Sequence, residues 1–192
     1  MYYELVSRQA CLTNPMNAAL FPLMLLAGLG FFLSLAAHLA ALAGIQIPGG
    51  GLVWALHIGI FVVWFPTVLV ANRMTRDTRD KDFWKNAMTG CPLWMRAALV
   101  ILFAYAIVNF VLFMIGTAGK PHPKGDAPPT VIRGFSGHWM LFYGVAFATL
   151  YSAIHAPQLF RPRQCPQGHA VAPTDRTCPI CGCPLHDEPE SS

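Results

Sequence analysis

Four long apolar runs constrain this chain more than any other feature. They cover residues 17–43, 52–71, 93–116 and 137–156. The hydrocarbon core of a bilayer takes roughly 20 apolar residues as helix, and each run reaches that length. Only 11% of the 192 residues are charged, against about 25% in soluble domains, so a large aqueous core is excluded. The expected fold is an all-α integral membrane protein. Four transmembrane helices fill residues 17–156, behind a lead-in at 1–16, and leave room for one small module at the C-terminus.

The stretch between the second and third runs sets the orientation. It holds Arg73, Arg76, Arg79, Lys81, Lys85 and Arg96. Lys and Arg concentrate in cytoplasmic loops, so this loop is placed in the cytosol. Of the thirteen Lys and Arg, only Lys120, Lys124 and Arg133 then fall outside. An even number of spans puts both termini in the cytosol, and a bacterial inner membrane suits that arrangement. The net charge of +4 follows from topology and anionic lipid, with no nucleic-acid partner implied. In the same loop Phe83 and Trp84, with Trp94 beyond, suit a short interfacial helix. Arg96 is placed to snorkel to water.

The first run ends in Ala41-Leu42-Ala43 before Gly44, as a signal-peptide cleavage site does. It is about twice the usual apolar length for such a peptide, and Glu4 interrupts the basic lead, so it reads as a retained helix. Ala36, Ala40 and Gly44 give it a small-residue stripe for close packing, as Ala148, Ser152 and Ala156 do on the fourth run. Residues 44–51 (GIQIPGGG) read as a tight reversal. Pro66 is expected to kink the second helix. Residues 117–136 read as an irregular outer loop.

Six cysteines are present, four of them within residues 165–183. Such crowding is metal-ligand usage rather than a disulfide framework. The other two, Cys11 and Cys91, are expected to be free thiols. Residues 165–183 read CPQGHAVAPTDRTCPICGC. Three residues separate Cys165 from His169, and two separate Cys178 from Cys181. Each pair can reach one ion from a single turn, with Pro and Gly letting backbone amides face the sulfurs. A tetrahedral Cys₃His zinc site suits those donors.

This stretch resembles a zinc ribbon, in particular the short terminal ribbons of the CPxGH…CPxCG pattern. The resemblance covers only this end of the chain. It implies a ribbon at residues 165–186, after a linker at 157–164 and before an acidic tail at 187–192, with Cys165, His169, Cys178 and Cys181 as ligands. Cys183 or His186 is an alternative fourth ligand in place of His169. A module this small depends on its metal to fold, and a closed donor set points to structure rather than catalysis.

Histidines inside the spans are the remaining signal, because ionisable groups there are rare and often functional. At about 1.5 Å per residue, His38 and His57 fall in the outer half of their spans, and His138 opens the fourth run at a similar level. Such a layer could hold haem b through axial nitrogens, or copper or zinc. The alternative leaves His38 and His138 at the wet boundary and His57 hydrogen-bonded inside the bundle. His155 lies at the opposite end. The chain has no phosphate-binding glycine loop, no HExxH and no nucleophile elbow, which points away from an enzyme. Two functions stand open: a membrane anchor, adaptor or subunit that contacts a protein partner through its cytosolic face, and a redox or metal-handling protein built on the histidines.

Overall fold

The computed structural model describes residues 15–47, 50–76, 83–118, 127–160, 164–171 and 175–185. Several features read from the sequence lie outside them: the lead-in with Cys11, the alternating charges at 77–82, residues 119–126 with His122, Lys120 and Lys124, the arginines Arg161 and Arg163, His186 and the acidic tail.

Among the described residues six helices follow one another: α1 (Pro15–Leu42), α2 (Gly50–Val53), α3 (Ala55–Met74), α4 (Phe83–Ala87), α5 (Leu93–Thr117) and α6 (Pro129–His155). A short 3₁₀ turn, Pro157–Phe160, closes the helical part. No strand is present among the described residues. Among the described residues three segments, not four, are long and apolar enough to cross a membrane: Ala18–Leu42, Gly51–Met74 and Leu93–Thr117. Their outward faces carry Leu25, Phe32, Phe65, Val100 and Ile115 in the open. Soluble monomers rarely expose so much contiguous apolar surface, and lipid accounts for it. In lipid, helices also satisfy their own backbone.

The predicted fourth span is the exception, and its position explains why. Thirteen of the 27 residues of α6 are buried, against three of the 25 in α5. The other three long helices surround it. Gly28 of α1 lies by Phe147, Gly30 by Tyr143 and His38 by Ser136, so α1 runs antiparallel to α6. Gly134 meets Phe113 and Gly144 meets Leu99, so α5 is antiparallel too. A helix sheltered on three sides is selected for close packing and hydrogen bonding rather than lipid solubility. That selection puts Ser136, His138, Thr149 and Ser152 where an exposed span would have Leu or Ile.

Other expectations are corrected in detail. Helix α6 starts at Pro129, not near Gly137, so eight residues taken for loop are helical and Arg133 stands in its second turn. Pro near the first helical position is a start signal, since its missing N–H has no helical partner to lose. Of the first small-residue stripe, Ala36 and Gly44 are exposed; α1 packs instead on Ala27, Ser34, Ala37 and Ala41. Gly44 serves the turn. Its φ of 71° accompanies bonds from Gly44 N to Ala41 O (3.2 Å) and from Ile45 N to Ala40 O (2.9 Å), the Schellman cap that glycine favours.

The second stripe is buried at Ala148, Ser152 and Ala156, and the turn between α4 and α5 docks on it. Gly90 N donates to Ser152 Oγ (2.9 Å), and the Cys91 thiol donates to Ala148 O (3.1 Å). Burial pushes that thiol up to about 11, so Cys91 is an inert thiol at neutral pH. Arg96 turns back toward the loop end of α5: Nε and Nη2 donate to Cys91 O (3.1 Å) and Thr89 O (2.9 Å). A Cβ on Gly90 would stand 2.6 Å from Ser152 O and 2.9 Å from its Cα, both backbone atoms that cannot swing aside. Gly90→Ala is therefore expected to undock this turn, costing about 1–3 kcal/mol as overpacking does. A lowered thermal midpoint in detergent, with new thiol reactivity at Cys91, is the readout.

Candidate metal centre

The C-terminal module is two short loops of the same design. In the first, Cys165 N donates to His169 O (2.9 Å) and Gly168 N to Cys165 O (2.8 Å), with Gly168 at φ 83°. In the second, Cys178 N donates to Cys183 O (2.9 Å) and Gly182 N to Cys178 O (2.8 Å), with Gly182 at φ 69°. Both glycines adopt the left-handed conformation that L side chains resist. One antiparallel bridge closes each loop, Gln164 with Ala170 and Thr177 with Pro184. Neither bridge extends into a strand. The module's core is Cys165, Val171 and Cys178, with Leu185 and the other two cysteines against it.

The loops bring the four expected ligands together. Cys165, His169, Cys178 and Cys181 offer donor atoms that all lie within 4.8 Å of one another, close enough to bind a metal ion. Zn–S bonds of about 2.3 Å and Zn–N bonds of about 2.05 Å imply tetrahedral edges of about 3.8 Å between sulfurs and about 3.5 Å from sulfur to nitrogen. Three of the six edges are 3.7 Å from Cys165 Sγ to Cys181 Sγ, 3.5 Å from Cys165 Sγ to His169 Nδ1 and 3.8 Å from Cys178 Sγ to His169 Nδ1.

Local electrostatics divide the thiols. Burial works against the Cys165 thiolate, but the backbone N–H groups of His169 and Gln167 outweigh it and hold the thiol down at about 7. Burial opposes the Cys178 thiolate too, and the N–H groups of Cys181 and Ile180 carry it below its ordinary range. Cys183 goes the other way. Its contact with Cys181 and then burial push it up to about 12, and its sulfur lies only 3.1 Å from Cys181 Sγ. Two sulfurs bound to one tetrahedral ion stand farther apart than that. In this geometry Cys183 is a protonated neighbour of the donor set.

The three membrane histidines occupy one end of the bundle, as their depths imply, but each has its own partners. His38 is buried between Ser136 Oγ (2.7 Å from Nδ1) and the Tyr105 hydroxyl (2.5 Å from Nε2). The Ser136 hydroxyl also donates to Arg133 O (3.2 Å). Its oxygen is thus left to accept from His38 Nδ1–H, and Nε2 accepts from Tyr105. Both ring nitrogens are taken, which leaves none for a metal. His57 Nδ1 accepts from Trp139 Nε1 (3.0 Å). His138 packs its ring edge-on to Phe110 at 4.6 Å, and its buried Nδ1 has no partner among the described residues. These three do not form a shared donor cluster; among the described residues the C-terminal four are the one group of three or more that does. His155, at the other end, stacks on Tyr151 at 3.8 Å.

Two polar links escaped the sequence reading. Asn109 Nδ2 donates to Arg133 O (2.7 Å) and Arg133 Nε donates to Asn109 Oδ1 (3.2 Å), joining α5 to α6. The Tyr143 hydroxyl donates to Leu56 O (2.8 Å) and ties α3 to α6. The pairing was hidden in the sequence because Arg133 read as part of the loop at 117–136. Comparison of the chain with known protein families, with curated proteins and with solved structures finds no match.

Proposed function

We propose that this chain is an integral membrane protein that carries a closed, structural zinc site on a cytosolic C-terminal module, and that the module serves contact with a protein partner. The observation that carries the zinc reading is that four donors drawn from two loops lie within 4.8 Å of one another, three of their separations being 3.5–3.8 Å. Those three match the edges of a tetrahedron around an ion of zinc's bond lengths, and four protein donors leave no open corner, whereas a catalytic zinc keeps one position for water. Zinc would supply charge neutralisation for the thiolates and the cross-link between the loops.

The cytosolic placement rests on charge. Arg73, Arg76, Lys85 and Arg96 gather at the end of the bundle where α1 begins and α6 ends, the distribution expected of a cytoplasmic face. An inner-membrane setting keeps such thiols reduced. Contact with a protein, rather than an enzymatic role, is favoured by a closed donor set on a module with few basic residues.

A metal count and visible spectrum on detergent-purified protein test the metal reading. One zinc per chain and no visible band are expected; no zinc in protein purified with zinc present would sink it. For the contact role, deletion of residues 165–192 should abolish in-cell crosslinking to a partner while the bundle stays inserted. Crosslinks that survive the deletion would remove the role from the module.

A further inference from the structure

The end of the bundle that carries α4 holds a groove with no part in the metal site. It is a cavity of about 470 Å³ between α4, α5 and α6, lined by Trp84, Lys85 and Met88, by Arg96 and Val100, and by Val145 among others. Its wall is almost wholly apolar, with two cations and no acid among its lining residues. The only carboxylate among the described residues is Asp175, in the C-terminal module. Arg96 is pinned by its bonds to Thr89 O and Cys91 O, so its charge is fixed at the groove's mouth. Trp84, in the groove lining, is 57% exposed, and Trp94, in the first turn of α5, is 69% exposed. Tryptophans settle at the headgroup layer, which sets the mouth at the membrane–water interface.

We propose that this groove binds one anionic phospholipid, with an acyl chain along α5 against Val100 and Val145 and the headgroup phosphate between Lys85 and Arg96. The match is between an amphiphile and an amphiphilic trough. The apolar wall offers dispersion contact to a chain but nothing to a free anion. The paired cations offer charge to a phosphate that a zwitterionic headgroup neutralises internally. Basic pockets between membrane helices on the cytoplasmic side are recurrent headgroup sites. Each cation is expected to add about fivefold to the preference for an anionic headgroup, about 1 kcal/mol.

The test is native mass spectrometry of the full chain in mild detergent, titrated with dioleoyl phosphatidylglycerol, dioleoyl phosphatidylcholine or inorganic phosphate. One retained phosphatidylglycerol is expected, held at least about fivefold tighter than phosphatidylcholine. Inorganic phosphate should neither add to the protein nor displace the lipid. Lys85→Glu should bring the two lipids to parity. Val100→Trp should lower retention of both; Val100 is 69% exposed, so the larger ring fills the groove without entering the core. Arg133→Gln, at the far end, should leave the preference unchanged. Equal retention by the wild type, a preference that survives Lys85→Glu, or displacement by inorganic phosphate would overturn the site. The inference rests on the membrane reading of the bundle, and the two fail differently. A chain that stays in aqueous buffer and holds neither lipid defeats that reading, whereas lipid held without headgroup preference defeats only the groove.

Discussion

Cys178→Ser is expected to empty the zinc site, taking the stoichiometry from one ion per chain to near zero. Cys178 is buried at the junction of the two loops, where its sulfur faces His169 Nδ1 and its carbonyl accepts from Gly182. The module has little else to hold it: among its described residues Val171 is the one buried apolar residue apart from cysteine. In modules of this size, zinc binding supplies about 10–16 kcal/mol near neutral pH and is in effect the folding energy. Loss of one thiolate should therefore unfold residues 164–185 and expose them to protease, while the bundle remains intact. Metal analysis and limited proteolysis read both effects. The same assay decides the fourth corner. His169→Ala should lose the ion as Cys178→Ser does, whereas Cys183→Ala should keep one zinc per chain. The reverse pattern would make Cys183 the ligand and return His169 to the surface.

The ligand set was legible because its geometry is local. Each pair, Cys165 with His169 and Cys178 with Cys181, spans one turn, so spacing alone brings its two donors together, and the structure adds that the two pairs meet within 4.8 Å. The three lipid-facing helices were legible for a similar reason, since length and apolarity are properties of the segment itself. The fourth run was legible as a helix, but its sheltered place was not, because its composition answers to neighbours rather than to lipid. Its polar and small residues blurred both its apolarity and its start, although Pro128-Pro129 marked that start. The histidines show the same limit. Rise per residue placed all three at one end of the bundle, where the structure has them, but it leaves the rotation about each helix axis free. That rotation sends His38 to Ser136 and Tyr105, His57 to Trp139 and His138 to Phe110. Long-range pairs such as Asn109 with Arg133 carry no spacing signal at all.

If α6 is the centre of the bundle, its largest buried side chain should be the costliest to remove. Trp139 is fully buried, packs edge-on to Trp54 at 5.7 Å and donates to His57 Nδ1 at 3.0 Å. Trp139→Ala leaves a cavity between α3 and α6 and an unpaired nitrogen on His57. The expected loss is about 3–5 kcal/mol, enough to lower the thermal midpoint in detergent sharply. Lipid does not weaken this argument, because helices in a membrane associate through packing and interhelical hydrogen bonds rather than apolar transfer from water, and both are lost here. Trp139→Phe separates the two. It retains most of the ring and removes the donor, so its cost should be nearer the 1–2 kcal/mol of one interhelical hydrogen bond, about as large as such bonds become. A comparable cost for both variants would assign the stability to the His57 bond. A small cost for both would mean that α6 is not the helix on which the other three are built.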